Sequence, residues 1–457
     1  MNLHKSSSHV AHSKGGLNLR IKTFLRSNFF ENLKLMWTVG IQTSITYVGF
    51  SIARTFQTAL YGTKSTTDMA AFGIALMLLD LPWTVVGGYS WIYLSLIARS
   101  KNEEERRLFT HASWVFFAFF YVITLIIYQK FAMPIAMFFT AYHEDVAIRV
   151  AEYMKLTSWF FFIPFFAYPV AMILRNDNRA YIPMFTSLAD NVVDLVVTWL
   201  LLKKFEGIVP SAYSIITTFL VVHGPVYFTW ALKYNLFKKF RLSLSHLKTF
   251  LKLGTPHALE ATAGLIAFMI FSKFIGSISE KALAANAIAS QITGFAYSLG
   301  GGICLGAIAA TGKTIGSGNA VRGRIFANLA VASSIAFGII LGLPFMLFPQ
   351  KIATLFSKDM EVVRLAVPVL KMFGIIFAID ISSYLLSSII QAGGDTLFSM
   401  LVTMSLNYGV WLPLAYFSAL HKSFAGCWLA LFIAMTAAYM IFRIRIDSMK
   451  WVKKLND

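Results

Sequence analysis

At 457 residues, 57% hydrophobic and 13% charged, with a mean hydropathy of +0.65, the chain is too apolar for an ordinary soluble domain, where about 25% of residues are charged. A net charge of +19 would fit a nucleic-acid binder, yet 26 of the 40 Lys and Arg fall in the two termini and in alternate loops between apolar stretches, not on one soluble face. Composition therefore excludes nucleic acid as a partner and points to a multi-pass membrane protein surrounded by lipid.

Residues 1–34 read as a polar, basic tail ending in an amphipathic segment from Leu17 to Phe30. No apolar core precedes a small-residue cleavage site there, so the first span is expected to act as its own insertion signal. His4, His9 and His12 in this tail read as solvated side chains. A spanning helix needs roughly 20 apolar residues. Such stretches recur at 35–60, 69–98, 110–132, 150–174, 182–202 and 208–232, and again at 250–277, 282–311, 325–349, 362–391, 397–419 and 424–443. Residues 35–232 are expected to form an N-terminal six-helix bundle and residues 250–443 a C-terminal one. A basic linker, 233–249, joins them, and a short tail, 444–457, follows. The fold class is all-α: twelve transmembrane helices in two pseudo-symmetric bundles. The bias of Lys and Arg predicts that both termini and Lys233–Lys248 are cytoplasmic, N-in and C-in, in the cell membrane, the inner membrane if the source is bacterial.

The two bundles are one unit written twice. Residues 34–98 lie on residues 248–312 at an offset of 214: Lys34 meets Lys248, Gly40 meets Gly254, Ala53 meets Ala267, Ala71 meets Ala285 and Gly87-Gly88 meet Gly301-Gly302. Further on the offset is 216, where Met184 meets Met400 and Asn191 meets Asn407. Duplicated helix bundles of this kind mark transporters with a binding site between the halves.

A carboxylate within the bilayer is costly and usually faces a cavity or a partner. Asp80, Asp190, Asp194, Glu260 and Asp380 lie well within spans, and Arg54 is the one basic residue at such depth. Glu260 follows Pro256 by four residues, and Asp380 sits mid-way along the tenth span. If they face each other, they form a cation-coupling site that holds Na⁺ or shares a proton; the structural alternative is that each is satisfied by a helix–helix hydrogen bond. In the first half, Asp190 and Asp194 are four residues apart and share one helix face. With Asp80 and Arg54 they form either a second ion or substrate site or a salt-bridge cluster. Prolines 82, 164, 169, 256, 344 and 413 interrupt spans, which a membrane tolerates where neighbours or a cavity satisfy the freed carbonyls.

Other chemistry is not expected. Cys304 and Cys427 lie inside spans and make neither a disulfide framework nor a metal site. Ala310-Thr-Gly-Lys-Thr314 matches the end of a phosphate-binding loop, but Ala307 stands where that pattern needs Gly and no strand precedes it. No catalytic constellation, metal site or organic cofactor is read, and a membrane-embedded enzyme is the least favoured class.

The chain resembles the multidrug and toxic compound extrusion (MATE) family over roughly residues 35–445. The resemblance rests on four marks: Ala284-Ala285-Asn-Ala-Ile-Ala289 with Ala70-Ala71-Phe-Gly-Ile-Ala75, then Gly312-Lys-Thr-Ile-Gly316-Ser-Gly318-Asn, then Gln391-Ala-Gly-Gly-Asp395-Thr396 with Leu174-Arg-Asn-Asp-Asn-Arg-Ala-Tyr in the first half, and Asp190-Asn-Val-Val-Asp194. It implies that Glu260 and Asp380 hold the coupling cation and that Asp194 belongs to an N-lobe site, with Asp190 where Asn is usual. The first span departs from the family: it reads Ser51-Ile-Ala-Arg54-Thr where Asp is frequent, and Gln42 replaces the proline its partner has at Pro256. The function implied is export of organic, cationic or amphipathic solutes by antiport with Na⁺ or H⁺, as a monomer with alternating access. A lipid or oligosaccharide flippase of the same superfamily is the alternative.

Overall fold

A computed structural model of the chain describes residues 7–140, 144–316, 320–357 and 359–453. Among these residues all regular structure is helical. The first lobe comprises α1 (Ser7–Gly62), α2 (Thr66–Arg99), α3 (Glu103–Phe139), α4 (Glu144–Ser158 and Phe162–Asn176), α5 (Tyr181–Leu201) and α6 (Val209–Lys233). The second comprises α7 (Leu244–Gly276), α8 (Glu280–Ile315), α9 (Ala320–Leu347), α10 (Met360–Ala392), α11 (Thr396–Leu420) and α12 (Phe424–Asp447). Among the described residues ten of these helices are long and apolar enough to cross a membrane, and the bent α4 is an eleventh; α1, whose second half was expected as the first span, is less apolar than these.

Local chemistry sets the ends. Ser65, Asn102, Ser279 and Ser423 each accept hydrogen bonds from backbone N–H groups of the first turn they precede, satisfying donors that a helix start leaves open. Glu105 also accepts from the Lys101 N–H, bracing the start of α3. The chain has no proline before Pro82, and α1 runs unbroken from Ser7 through the segment expected as a tail into the first span.

Two features depart from a reading of uniform spans. The fourth is not one rod: its halves meet at 58° across Trp159–Phe161, where Pro164 lacks an N–H and its ring crowds the carbonyl one turn back. Helices α6 and α11 each carry a π-helical turn, Phe219–His223 and Asn407–Trp411, directly before Gly224-Pro225 and Leu412-Pro413. The wider turn accommodates a residue that cannot donate. A short helix, Pro349–Phe356, lies between α9 and α10.

The lobes meet through glycines. A Cβ on Gly302 would stand 2.3 Å from the Ser44 nitrogen, and one on Gly306 would stand 2.1 Å from the Met36 carbonyl, so α1 and α8 cross with backbones touching, as small residues allow in membranes. A Cβ on Gly88 would stand 2.8 Å from Ala258, and one on Gly254 would strike the Tyr89 ring. Adding 214 to Ser44 and to Gly88 gives Ala258 and Gly302, so the α1–α8 and α2–α7 contacts are copies of one contact. The duplication read in the sequence is the inter-lobe interface.

Inter-lobe bonds crowd toward the face that carries Asn32 and Lys453, called here the terminal face. Asn32 donates to Thr314 at 3.0 Å, Ser95 to the Ala392 carbonyl at 2.8 Å and Lys313 to the Asn176 carbonyl at 2.5 Å. The Lys of the phosphate-loop-like segment thus sits on a helix and bonds across the lobes. Arg99 also reaches the Lys453 carbonyl. Toward the opposite face the last such bond among the described residues is Ser51 to Ser298, 3.3 Å. Beyond it Gly264 and Gly294 have open space where a side chain would be.

Candidate ion and solute site

A cavity of about 550 Å³ penetrates the second lobe from the cleft, lined by α2, α7, α8, α10, α11 and α12. Both Glu260 and Asp380 line it, with Trp91, His257, Tyr297, Tyr384 and Trp411. Glu260 is held by neutral donors from two other helices: Thr403 at 2.8 Å to Oε1, Gln391 at 3.1 Å to Oε2, and Ser399 at 3.2–3.3 Å to both. Gln391 is itself tied to Ser387 and Ser399 at 3.0 and 2.9 Å. Asp380 is buried, and the Tyr297 ring faces it from α8. The two acids share the cavity, but no hydrogen bond joins them. Among the described residues, neither has a Lys, Arg or His within ion-pair distance.

Sequence reading missed Gln391, Ser399 and Thr403 as partners of Glu260. Signals existed: Asp380, Tyr384, Ser387 and Gln391 recur at 4, 7 and 11 residues along one face of α10, and Ser399 and Thr403 lie four apart on α11. It also missed His257, one turn before Glu260, whose ring stacks on Trp91 at 5.7 Å and whose buried Nδ1 has no hydrogen-bond partner among the described residues.

Among the described residues no ion pair or hydrogen bond joins Asp80, Asp190, Asp194 and Arg54 to one another. Asp190 pairs with Nδ1 of His223 at 2.5 Å, a partner that sequence reading did not consider and that the π-turn of α6 presents. Asp194 accepts from Ser214 at 2.5 Å. Asp80 is exposed. Arg54 lies over the Phe50 ring at 4.5 Å, and no carboxylate among the described residues comes within ion-pair distance of it.

Two acids outside the bilayer core carry structure. Asp395 is buried and held by Arg445 at 2.6 Å and by Lys453. In the first half, Asp177 pairs with Arg106 at 2.8 Å. Both lie in the paired turn segments singled out in the sequence.

A family model described as MatE matches residues 41–200 and 256–417, one stretch per half. The chain belongs to the MatE family. The uncharacterized transporter YisQ of Bacillus subtilis is 20% identical over 442 residues, covering 93% of this chain and 95% of that one. A probable multidrug resistance protein NorM of Bacillus cereus is 21% identical over 446 residues, covering 92% and 96%. A MATE transporter of Vibrio cholerae superimposes with a TM-score of 0.84 at 15% identity, over 94% of this chain and 99% of that one. An outward-facing multidrug resistance MATE transporter gives 0.82 at 18% identity, over 92% and 97%. This MatE chain is therefore a multi-pass membrane protein of a family of multidrug and toxin extrusion transporters, with twelve helices in two lobes.

Proposed function

We propose that this MatE protein exports organic cationic or amphipathic solutes by antiport, with Na⁺ or H⁺ as the coupling ion and no other cofactor. The observation that carries the reading is the Glu260 shell: a carboxylate in a membrane cavity whose hydrogen-bond donors, Thr403, Ser399 and Gln391, are all neutral. These donors orient the charge without cancelling it. A cation or a proton is the missing partner, because an uncompensated charge is expensive away from water. Asp380 supplies a second acid in the same cavity, and Trp91, Tyr384 and Trp411 supply aromatic faces for a flat or cationic solute.

With N-in and C-in orientation, the closed face is cytoplasmic and the cavity opens outward. Export then follows if the ion favours this state and the solute favours the opposite one. Each chain has its own cleft, so a monomer suffices. The test is transport of a fluorescent organic cation by purified protein in liposomes, with Na⁺ and H⁺ gradients imposed separately. Solute movement driven by one gradient and abolished by its collapse supports antiport. Equal movement without either gradient refutes it.

A further inference from the structure

The first lobe carries a second large concavity, remote from the acids. It has a volume of about 710 Å³ and lies between α3, the second half of α4, α6 and the linker. Its walls are apolar and mostly aromatic. Trp114 stacks on Phe166 at 4.9 Å and on Phe237 at 5.4 Å, and Phe166 and Phe237 are nearly parallel at 7°. Two polar atoms border it, and both are already bonded: Trp114 donates to the Phe166 carbonyl at 3.1 Å and Tyr121 to the Trp159 carbonyl at 3.1 Å. With its side-chain donors already engaged and its walls apolar, the groove suits hydrocarbon and penalises a polar guest. Phe162, Leu220 and Phe228 at its rim are each about half exposed.

The end nearest the linker is different. His111 of α3 pins the linker, its Nε2 2.8 Å from the Leu236 carbonyl and its Nδ1 3.3 Å from the Arg241 backbone. That fixes Phe237 and Phe240 as the end wall and leaves Lys238, Lys239 and Arg241 exposed between and beside them. None of the three is in an ion pair among the described residues. The sequence holds no Asp or Glu between Glu206 and Glu260 to neutralise them.

We propose that this groove is a site for an anionic phospholipid of the leaflet on the terminal face, its acyl chain among the rings and its headgroup on Lys238, Lys239 and Arg241. Basic residues beside a groove between transmembrane helices select anionic headgroups, while buried methylenes supply the rest of the affinity. The bound lipid would rest on the segment that joins the two lobes.

The test uses the full-length protein in detergent, with retained lipid read by native mass spectrometry. Phosphatidylglycerol and phosphatidylcholine with identical oleoyl chains are added in competition, so only the headgroup differs. The wild type should retain phosphatidylglycerol over phosphatidylcholine by about tenfold. Removing the three exposed cations together (K238A, K239A and R241A) should abolish the preference, whereas K203A with K204A, at the opposite face, should leave it intact. Filling the groove with Ala118→Trp should lower retention of both lipids. No headgroup preference in the wild type, or a preference that survives loss of the three cations, overturns the proposal. A preference lost equally in the K203A/K204A control would show unspecific surface attraction and overturn it as well.

Discussion

The Gln391 amide donates to Oε2 of Glu260 at 3.1 Å, joining the last turn of α10 to the middle of α7. Eleven residues earlier, on the same face of α10, stands Asp380. One helix therefore carries the second acid and a support of the first. Gln391→Leu should leave the protein in the membrane but lower ion affinity by about tenfold, the worth of one hydrogen bond to a charged group. Ion-dependent protection against thermal unfolding measures this, and an unchanged ion dependence would remove Gln391 from the site.

Thr403 makes the shortest of the bonds to Glu260, 2.8 Å. Thr403→Val keeps the volume and deletes the donor. Ion affinity should fall by about tenfold or more, and Thr403→Ser should restore most of it. Equal behaviour of the Val and Ser variants would show that only packing matters there.

Gly306 permits α1 and α8 to touch, with the Met36 carbonyl where its side chain would be. Gly306→Val should open the terminal face or lower the folded yield. Cysteine accessibility at Asn32 separates the two, rising in any protein that folds. Wild-type yield with unchanged accessibility would contradict the packing account.

Arg99 reaches across to the carbonyls of Ala392 and Lys453, tying the first lobe to the chain's end. Arg99→Ala should shift the equilibrium toward opening at this face. Spin labels at Glu104 and Ser448 should then report a longer or broader distance distribution. An unchanged distribution would make the contact incidental.

Two arginines should behave oppositely. Arg54 rests on Phe50 without a carboxylate partner, so Arg54→Gln should cost no more than about 1 kcal/mol of stability. Arg106 pairs with Asp177 across the first lobe, and Arg106→Gln should cost about 3 kcal/mol by stranding a charge. Thermal unfolding of both variants decides; equal losses would refute the distinction.

Much of the architecture was legible because a membrane constrains sequence strongly. Apolar length marks the spans, and the 214-residue offset marks the interface, since Gly88 and Gly302 recur where backbones must touch and Gly40 and Gly254 recur where a neighbouring helix leaves no room for a side chain. The acids were legible because a bilayer rarely tolerates idle charge. Their partners were not: Thr403, Ser399 and His223 are ordinary residues for a span, and which ones meet depends on helix rotation and on the π-turns. Arg54 illustrates the limit. Depth along the chain brought it level with Asp80, Asp190 and Asp194, but its direction on α1 left it over its own neighbour Phe50.

The most direct measurement of the central claim is gradient-driven solute transport in liposomes by Glu260→Gln and Asp380→Asn, each against wild type at equal reconstitution. Both substitutions keep shape and remove charge. Each should abolish coupling while the protein remains folded and able to bind solute, and the double variant should be no worse than either single one, because both acids serve one cavity. Wild-type coupled transport in both single variants would contradict the assignment and move the coupling site to Asp190 and Asp194.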